Sequence, residues 1–431
     1  MKEIRIGIIG FGTVGAGVVR CLQNNGELIG NRTGIRPRVH AVADLDVTSD
    51  RGVEPPEGTL TNDVDGLLAD PDIDVVVELV GGTAVARDFI LRALRAGKPV
   101  VTANKALLAT CGAEIFAEAE HSSADVYYEA SVAGGIPIIK AMREGLVANR
   151  MIEILGILNG TCNYILTRME DEGAAFENVL EEAQQAGYAE TPPDLDIDGI
   201  DTAHKTTILA SLAYGDWFGM EPLHVEGIRG LALKDIQYAA SFGYRVKLLA
   251  IIKQEDSDVA MRVHPALIPA ESSLGSVGGV FNAVWVRGDT VGETMYYGRG
   301  AGRDATASAV VADIVDVGLN LKFGSHRRVP AFRQHEGYSR VVDMSETSSR
   351  YYLRLQVTNR AGVLAKISGV LGDLDISIAS VRQQEIAGET APLVLLTYKA
   401  REKDMQAALV RLADLDVVTE KPVLLRIEDL P

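Results

Sequence analysis

IRIGIIGFGTVG, residues 4–15, runs from an apolar strand into three glycines, Gly10, Gly12 and Gly15, and then into helical periodicity. Gly10 permits a tight turn, Gly12 lets backbone approach a ligand, and Gly15 lets the following helix pack against the strand. A helix beginning here offers the backbone around Gly10, Phe11, Gly12, Thr13, Val14 and Gly15 to a pyrophosphate, through its free N–H groups. Glycine turns between strand and helix are common, so a plain turn is the competing reading. Context favours a dinucleotide: a strand precedes the turn, a helix follows it, and a second strand, Val39–Ala43, ends in the acid Asp44. Asp44 suits the ribose hydroxyls of NAD, while Arg51 leaves NADP open. Asp44 stands farther from the glycines than usual, and the polar stretch Asn24–Arg38 reads as an inserted loop that explains the gap.

From this turn the pattern continues through the first 130 residues. Strands are predicted at Ile4–Ile9, Val39–Ala43, Val75–Leu79, Val100–Thr102 and Val126–Glu129, and helices near Thr13–Asn24, Ala84–Ala96 and Lys105–Glu120. Such alternation predicts an α/β fold, a Rossmann-type doubly wound parallel sheet covered on both faces. The fourth strand ends in Thr102-Ala-Asn-Lys105, which puts a lysine at the carboxyl edge where ligands bind. Residues 131–304 mix helices with β-rich stretches, as expected of an α+β domain. The apolar helix at Ala305–Val317 suits packing back on the first domain, so that residues 305–340 complete it. Residues 341–350, including the polar Met344–Arg350, read as a linker. The remainder, 351–431, has the order βαββαβ, a split arrangement of ferredoxin-like type.

Length and composition agree. The 431 residues predict two or three domains, and 47% hydrophobic content supplies their cores. A net charge of −17 argues against nucleic acid and against anionic membrane surfaces as partners. Three scattered cysteines, Cys21, Cys111 and Cys162, fit a reduced compartment rather than a disulfide framework or zinc site. No apolar run reaches membrane-spanning length and no signal peptide is read, so a cytoplasmic protein is expected.

A second informative run is GYAETPPDLDIDGIDTAHK, residues 187–205, with five carboxylates in twelve residues (Glu190, Asp194, Asp196, Asp198, Asp201) closed by Lys205. Helical spacing from Asp201 onward places Asp201 and Lys205 on one face as an ion pair. An acidic, solvated loop capping an ordinary helix is the alternative. The seven histidines show no metal-ligand spacing, and Cys162, Trp217 and Trp285 read as packing residues.

These motifs together resemble the homoserine dehydrogenase family. The resemblance rests on GFGTVG, TANKALLA (102–109), YEASVAGGIPI (128–138), ILGILNGTCNYILTRM (154–169), the acidic run, and GRGAGRDATASAVVADIVD (298–316). The C-terminal βαββαβ unit resembles an ACT regulatory domain. The resemblance implies NAD(P)-linked, reversible interconversion of L-aspartate 4-semialdehyde and L-homoserine, on the branch to threonine, methionine and isoleucine. It implies that Glu190 binds the substrate amino group, Asp201 contacts substrate, Asp196 supports the site and Lys205 donates the proton. Lys105 would lie between cofactor and substrate, and Gly187 and Gly302 against the cofactor. Glu129, Val132, Gly134 and Ile136 align with a loop that holds a monovalent cation, Na⁺ or K⁺. An L-threonine effector at the ACT unit also follows from it, while the sheet surfaces and edges offered by the α+β domain and the ACT unit predict a homodimer or homotetramer. Asn359-Arg-Ala-Gly362 stands where ACT units more often carry Asp-x-Pro-Gly, and Asp304-Ala305 where a proline is expected. The residues alone leave Lys105 and Lys205 as rival proton donors. Two other readings compete: a Rossmann dehydrogenase for a different amino-acid semialdehyde, and a non-catalytic nucleotide and amino-acid sensor.

Overall fold

A computed structural model describes residues 1–326, 328–335, 340–383 and 388–430. The chain forms two units. One comprises Met1–Gly160, Asp201–Leu223 and Val280–Ser339, and the other Thr161–Ile200, His224–Gly279 and Arg340–Pro431. The segment 131–304, read as one α+β domain, is therefore shared between them. Within 305–340, residues 327 and 336–339 lie outside the described residues.

The first unit is built on a parallel sheet. Its strands are β1 (Lys2–Ile9), β2 (Ile35–Ala43), β3 (Leu60–Thr61), β4 (Val75–Glu78), β5 (Val100–Thr102) and β6 (Val126–Tyr127), in spatial order β3-β2-β1-β4-β5-β6. Helices α1 (Thr13–Thr33), α2 (Val64–Ala69), α3 (Ala84–Arg95) and α4 (Lys105–Ser122) connect them. Both faces are covered, so Ile4, Ile6, Ile8, Val75 and Val77 are fully buried and the strands read as unbroken apolar runs. The order reverses between β1 and β4, which opens a crevice at their carboxyl ends.

The expected loop at Asn24–Arg38 is absent: α1 continues to Thr33, Gly34 caps it in the left-handed region, and β2 starts at Ile35. The polar residues there have modest helix propensity, and tertiary packing overrides it. Gly30 is buried, and a Cβ on it would lie 2.9 Å from the Met1 sulfur. The distance from the glycines to Asp44 is thus set by a longer helix.

The helix read at Ala305–Val317 spans Arg303–Phe323 and lies on α1. A Cβ on Gly17 would come within 2.7 Å of Arg303 Cγ, and Ala307, Val310, Ile314 and Val317 share one core with Ile4, Ile6 and Val18. The same unit carries the antiparallel strands Met151–Ile157, Phe281–Gly288 and Gly292–Arg299.

In the second unit, the long hairpin Tyr244–Glu255/Asp258–Pro269 pairs through Ala266 and Leu267 with Arg426 and Ile427 of the C-terminal strand. From there the sheet runs on through Ser348–Thr358, Thr390–Thr397 and Ile378–Gln383. Helices Val363–Asp373 and Glu402–Ala413 cover it, giving the expected βαββαβ order. The stretch expected as a linker is structured: Val341 bridges to Val259, Met344–Glu346 is a 3₁₀ turn, and the strand begins at Ser348. Among the described residues, no helix is long and apolar enough to cross a membrane.

Candidate active site

The glycine turn sits at the crevice edge of the first unit. Gly10 has φ +102°, and a Cβ there would lie 2.6 Å from the Leu79 carbonyl, so only glycine fits. A Cβ on Gly15 would lie 2.1 Å from Gly10 O, which explains the third glycine. Nothing lies within 4 Å of where a Cβ on Gly12 would be, and no side chain caps α1. An uncapped helix N-terminus beside empty space fits a dinucleotide pyrophosphate. Phe11 is buried, Thr13 is exposed and Val14 packs on the core. Asp44, at the end of β2, accepts the Phe11 N–H at 2.5 Å and the Asp46 N–H at 2.9 Å, so its carboxylate buttresses the turn.

Along the same edge, β5 leads into α4, whose first residue is Lys105 and whose cap is Asn104, accepting the Leu107 N–H at 3.1 Å. Asp201 stands in the first turn of the helix Ile200–Tyr214 and is buried. Its Oδ2 accepts from Lys205 Nζ at 2.7 Å and Asn159 Nδ2 at 2.9 Å, while Lys105 Nζ lies 3.1 Å from Oδ1. Lys205 Nζ also donates to Leu158 O at 2.7 Å. Burial works to raise the Asp201 pKa, but the charges of Lys205 and Lys105 outweigh it and hold the carboxyl below its ordinary range. Burial lowers the pKa of neighbouring His204. Two ammoniums on opposite oxygens of one carboxylate leave a net positive centre in a partly desolvated site, suited to an oxygen that gains negative charge. Asn159 escaped the sequence reading, although it lies within the NGTCNYIL run.

Gly302, φ +112°, caps the helix Arg303–Phe323, with nothing within 4 Å of where its Cβ would be. Asp304 in that helix's first turn pairs with Arg20. In the loop after β6, Glu129 accepts the N–H groups of Ile139 and Lys140, each at 2.8 Å, and its own N–H donates to Asp313 at 2.9 Å. Burial pushes the Glu129 carboxyl up to about 7. Val132 and Ile136 are buried, and Gly134 adopts φ +52° against Gly300 O. Among the described residues, no group of three or more His, Cys, Asp or Glu is arranged to hold a metal ion.

Glu190, Asp196 and Gly187 belong to the second unit. Glu190 is exposed, and its main-chain oxygen accepts from Gln184. Gly187 has φ +75° and open space at its Cβ position. Asp196 is half-buried in the short helix Asp194–Ile197, its carbonyl accepting the Cys162 thiol at 3.2 Å. Asp194 and Asp198 both pair with the exposed Arg229.

Comparison with known proteins gives the family. Residues 10–129 match the homoserine dehydrogenase NAD-binding domain model, 137–315 the homoserine dehydrogenase model, and 351–417 the ACT domain model. A homoserine dehydrogenase of Neisseria gonorrhoeae is 45% identical over 435 residues, covering 100% of both chains. The crystal structure of a homoserine dehydrogenase from Thiobacillus denitrificans superposes with TM-score 0.94 at 46% identity, over 100% of this chain and 99% of that one. A hyperthermophilic archaeal homoserine dehydrogenase in complex with NADPH has TM-score 0.64 and 27% identity, covering 75% of this chain and 100% of that one. From the glycine turn to the C-terminal βαββαβ segment, the chain belongs to the homoserine dehydrogenase family, NAD(P)-dependent oxidoreductases.

Proposed function

We propose that the chain interconverts L-aspartate 4-semialdehyde and L-homoserine at the Asp201–Lys205–Lys105 centre, in the cytoplasm, on the branch to threonine, methionine and isoleucine. One observation carries the reading: two ammoniums converge on a single buried carboxylate at the crevice edge of the unit bearing the glycine turn. When bound, the nicotinamide supplies or takes up the hydride. Gly10, Phe11, Gly12, Thr13, Val14 and Gly15 hold the dinucleotide, with Gly187, Gly302 and Lys105 against it. Asp44 favours NAD, because an anion at that place repels a 2′-phosphate. The NADPH-bound archaeal relative supports use of the phosphorylated form as well.

As the aldehyde is reduced, its oxygen gains charge and then a proton. Lys205 donates that proton, and Lys105 stabilises the charge from the other side of Asp201. General acid help of this kind contributes ~10²–10⁴-fold. Glu190 binds the substrate ammonium and Asp196 supports it. The loop of Glu129, Val132, Gly134 and Ile136 holds Na⁺ or K⁺ through its oxygens. The ACT unit takes an amino-acid effector, L-threonine, and the active form is a homodimer or homotetramer.

The test follows NADH and NADPH oxidation with aspartate semialdehyde, with and without threonine. No oxidation of either dinucleotide would refute the reaction, and no threonine effect would leave the ACT unit a scaffold. Lys205→Ala should abolish turnover more completely than Lys105→Ala; the reverse order would exchange their roles.

A further inference from the structure

Glu78 ends β4 opposite Thr102 of β5, fully buried at the carboxyl edge of the sheet. Its Oε1 accepts the Val80 N–H at 2.8 Å and its Oε2 the Thr102 hydroxyl at 2.7 Å. Thr102 Oγ1 in turn accepts the Asn104 N–H at 3.0 Å, which directs its own proton to the carboxylate. Asn104 caps α4 through its Oδ1, and its Nδ2 donates to Gly82 O at 2.7 Å. One step away, Leu79 N–H donates to Ile9 O at 2.8 Å, just before the glycine turn. Burial raises the Glu78 pKa, while hydrogen bonds from Thr102, Val80, Gly81 and the Asn104 side chain oppose that, so Glu78 reaches Asn104 directly as well as through Thr102.

A glutamine would present one acceptor and one donor, whereas this arrangement asks for an acceptor at both oxygens. The path runs Glu78, Thr102, Asn104, first turn of α4, Lys105. Beyond Lys105 it meets Asp201. We infer that Glu78 is a positioning residue for turnover: its buried carboxylate, acting through Thr102 and Asn104, fixes where the Lys105 ammonium stands. The inference rests on the participation of Lys105 in turnover.

Glu78→Gln and Thr102→Val, alone and combined, are compared with the parent and with Lys105→Ala. The readouts are kcat, KM for the dinucleotide, and thermal unfolding, with kinetics taken well below every melting temperature. Each single change should lower kcat about tenfold, since small misplacements at a reacting centre are costly. Thr102→Val should lower kcat by a clearly larger factor than it raises the dinucleotide KM, because the glycine turn that holds the pyrophosphate is untouched and only the Lys105 contact shifts, and a purely structural role would not separate the two constants. The double variant should be no slower than the worse single, because both changes cut one path. Losses that multiply in the double variant overturn the inference. So does near-parental kcat in a folded Thr102→Val or Glu78→Gln, even when Lys105→Ala is inactive. Lys105→Ala with parental kcat overturns the lysine reading and this inference together. Should Glu78→Gln fail to fold, the kcat and KM of Thr102→Val decide alone.

Discussion

Asp201 balances two cations with one charge, and in the proposed reaction that leaves the lysines rather than the acid to carry the proton. With Lys205 at 2.7 Å and Lys105 at 3.1 Å, its carboxyl is held below its ordinary range, so it is ionised at neutral pH. In the proposed reaction the protons available to a substrate oxygen are therefore those of the lysines. Asp201→Asn keeps the shape and removes the charge. Breaking a buried pair by removing one partner costs about 3–5 kcal/mol, discounted here because Lys105 is partly exposed. The expected outcome is a lower melting temperature and a kcat reduced about 10²-fold, of the size that loss of orientation brings. Parental kcat and melting temperature in Asp201→Asn would remove the carboxylate from both roles. Of this centre, the Asp201–Lys205 pair was legible in sequence because one helical turn brings residues four apart together. Asn159, Leu158 and Glu78 were not. Their partners are distant in sequence, and Glu78 reads as the last residue of an ordinary buried strand until its hydrogen bonds are seen.

At the scale of the element, α1 separates two uses of glycine that look alike in sequence. Gly12 faces empty space at φ −71°, so a side chain there strains nothing and obstructs only an incoming ligand. Gly17, one turn further on, faces Arg303 and Ala307, where a Cβ would lie 2.7 and 3.1 Å from their side chains. Gly12→Val should therefore raise the dinucleotide dissociation constant tenfold or more, on the order of 1.4 kcal/mol, with little change in melting temperature. Gly17→Val should do the opposite: overpacking costs about 1–3 kcal/mol, while the phosphate approach stays open. Fluorescence titration of NADPH and thermal unfolding of both variants separate the effects. Equal loss of affinity in both would deny Gly12 its special place. The start of α1 was readable because glycine spacing is a local property. Its end at Thr33 was not, because the packing of α1 on β2 and on the helix Arg303–Phe323, rather than local propensity, accompanies it through a polar stretch.

Over the whole molecule, each unit is assembled from segments far apart in the chain, and only local periodicity could be read beforehand. The order βαββαβ was visible that way. That its last strand also pairs with Asp258–Pro269, and that Val341 is tied to Val259, are long-range matters, so the sequence suggested a linker where there is structure. Buried charges reinforce this seam within the second unit. Glu428, just past the last strand, accepts from Lys253 at 2.6 Å and Arg262 at 2.8 Å, and Arg426 meets Glu226 at 2.9 Å and Glu402 at 2.6 Å.

The Glu428 group makes acid stability a test of that seam. Burial works to raise its pKa, yet Arg262 and Lys253 outweigh it and bring the carboxylate down to about 2. An unfolded glutamate titrates near about 4.3. The folded value is the lower one, so the unfolded chain binds the proton first as pH falls. The stabilisation is therefore fully present above about 4.3, and it is lost between there and about 2. Glu428→Gln strands the buried Arg262, so at pH 7 it should unfold at lower urea than the parent, by on the order of 3 kcal/mol. That gap should hold from pH 7 to about 5 and shrink as pH drops further, because the parent then loses the same charge. Urea titrations of both proteins at pH 7, 5 and 3.5 measure it. No gap at pH 7 would mean that the strand pairing alone holds the C-terminal segment to the hairpin, and a gap of constant size across all three would mean that the Glu428 side chain acts through something other than its charge.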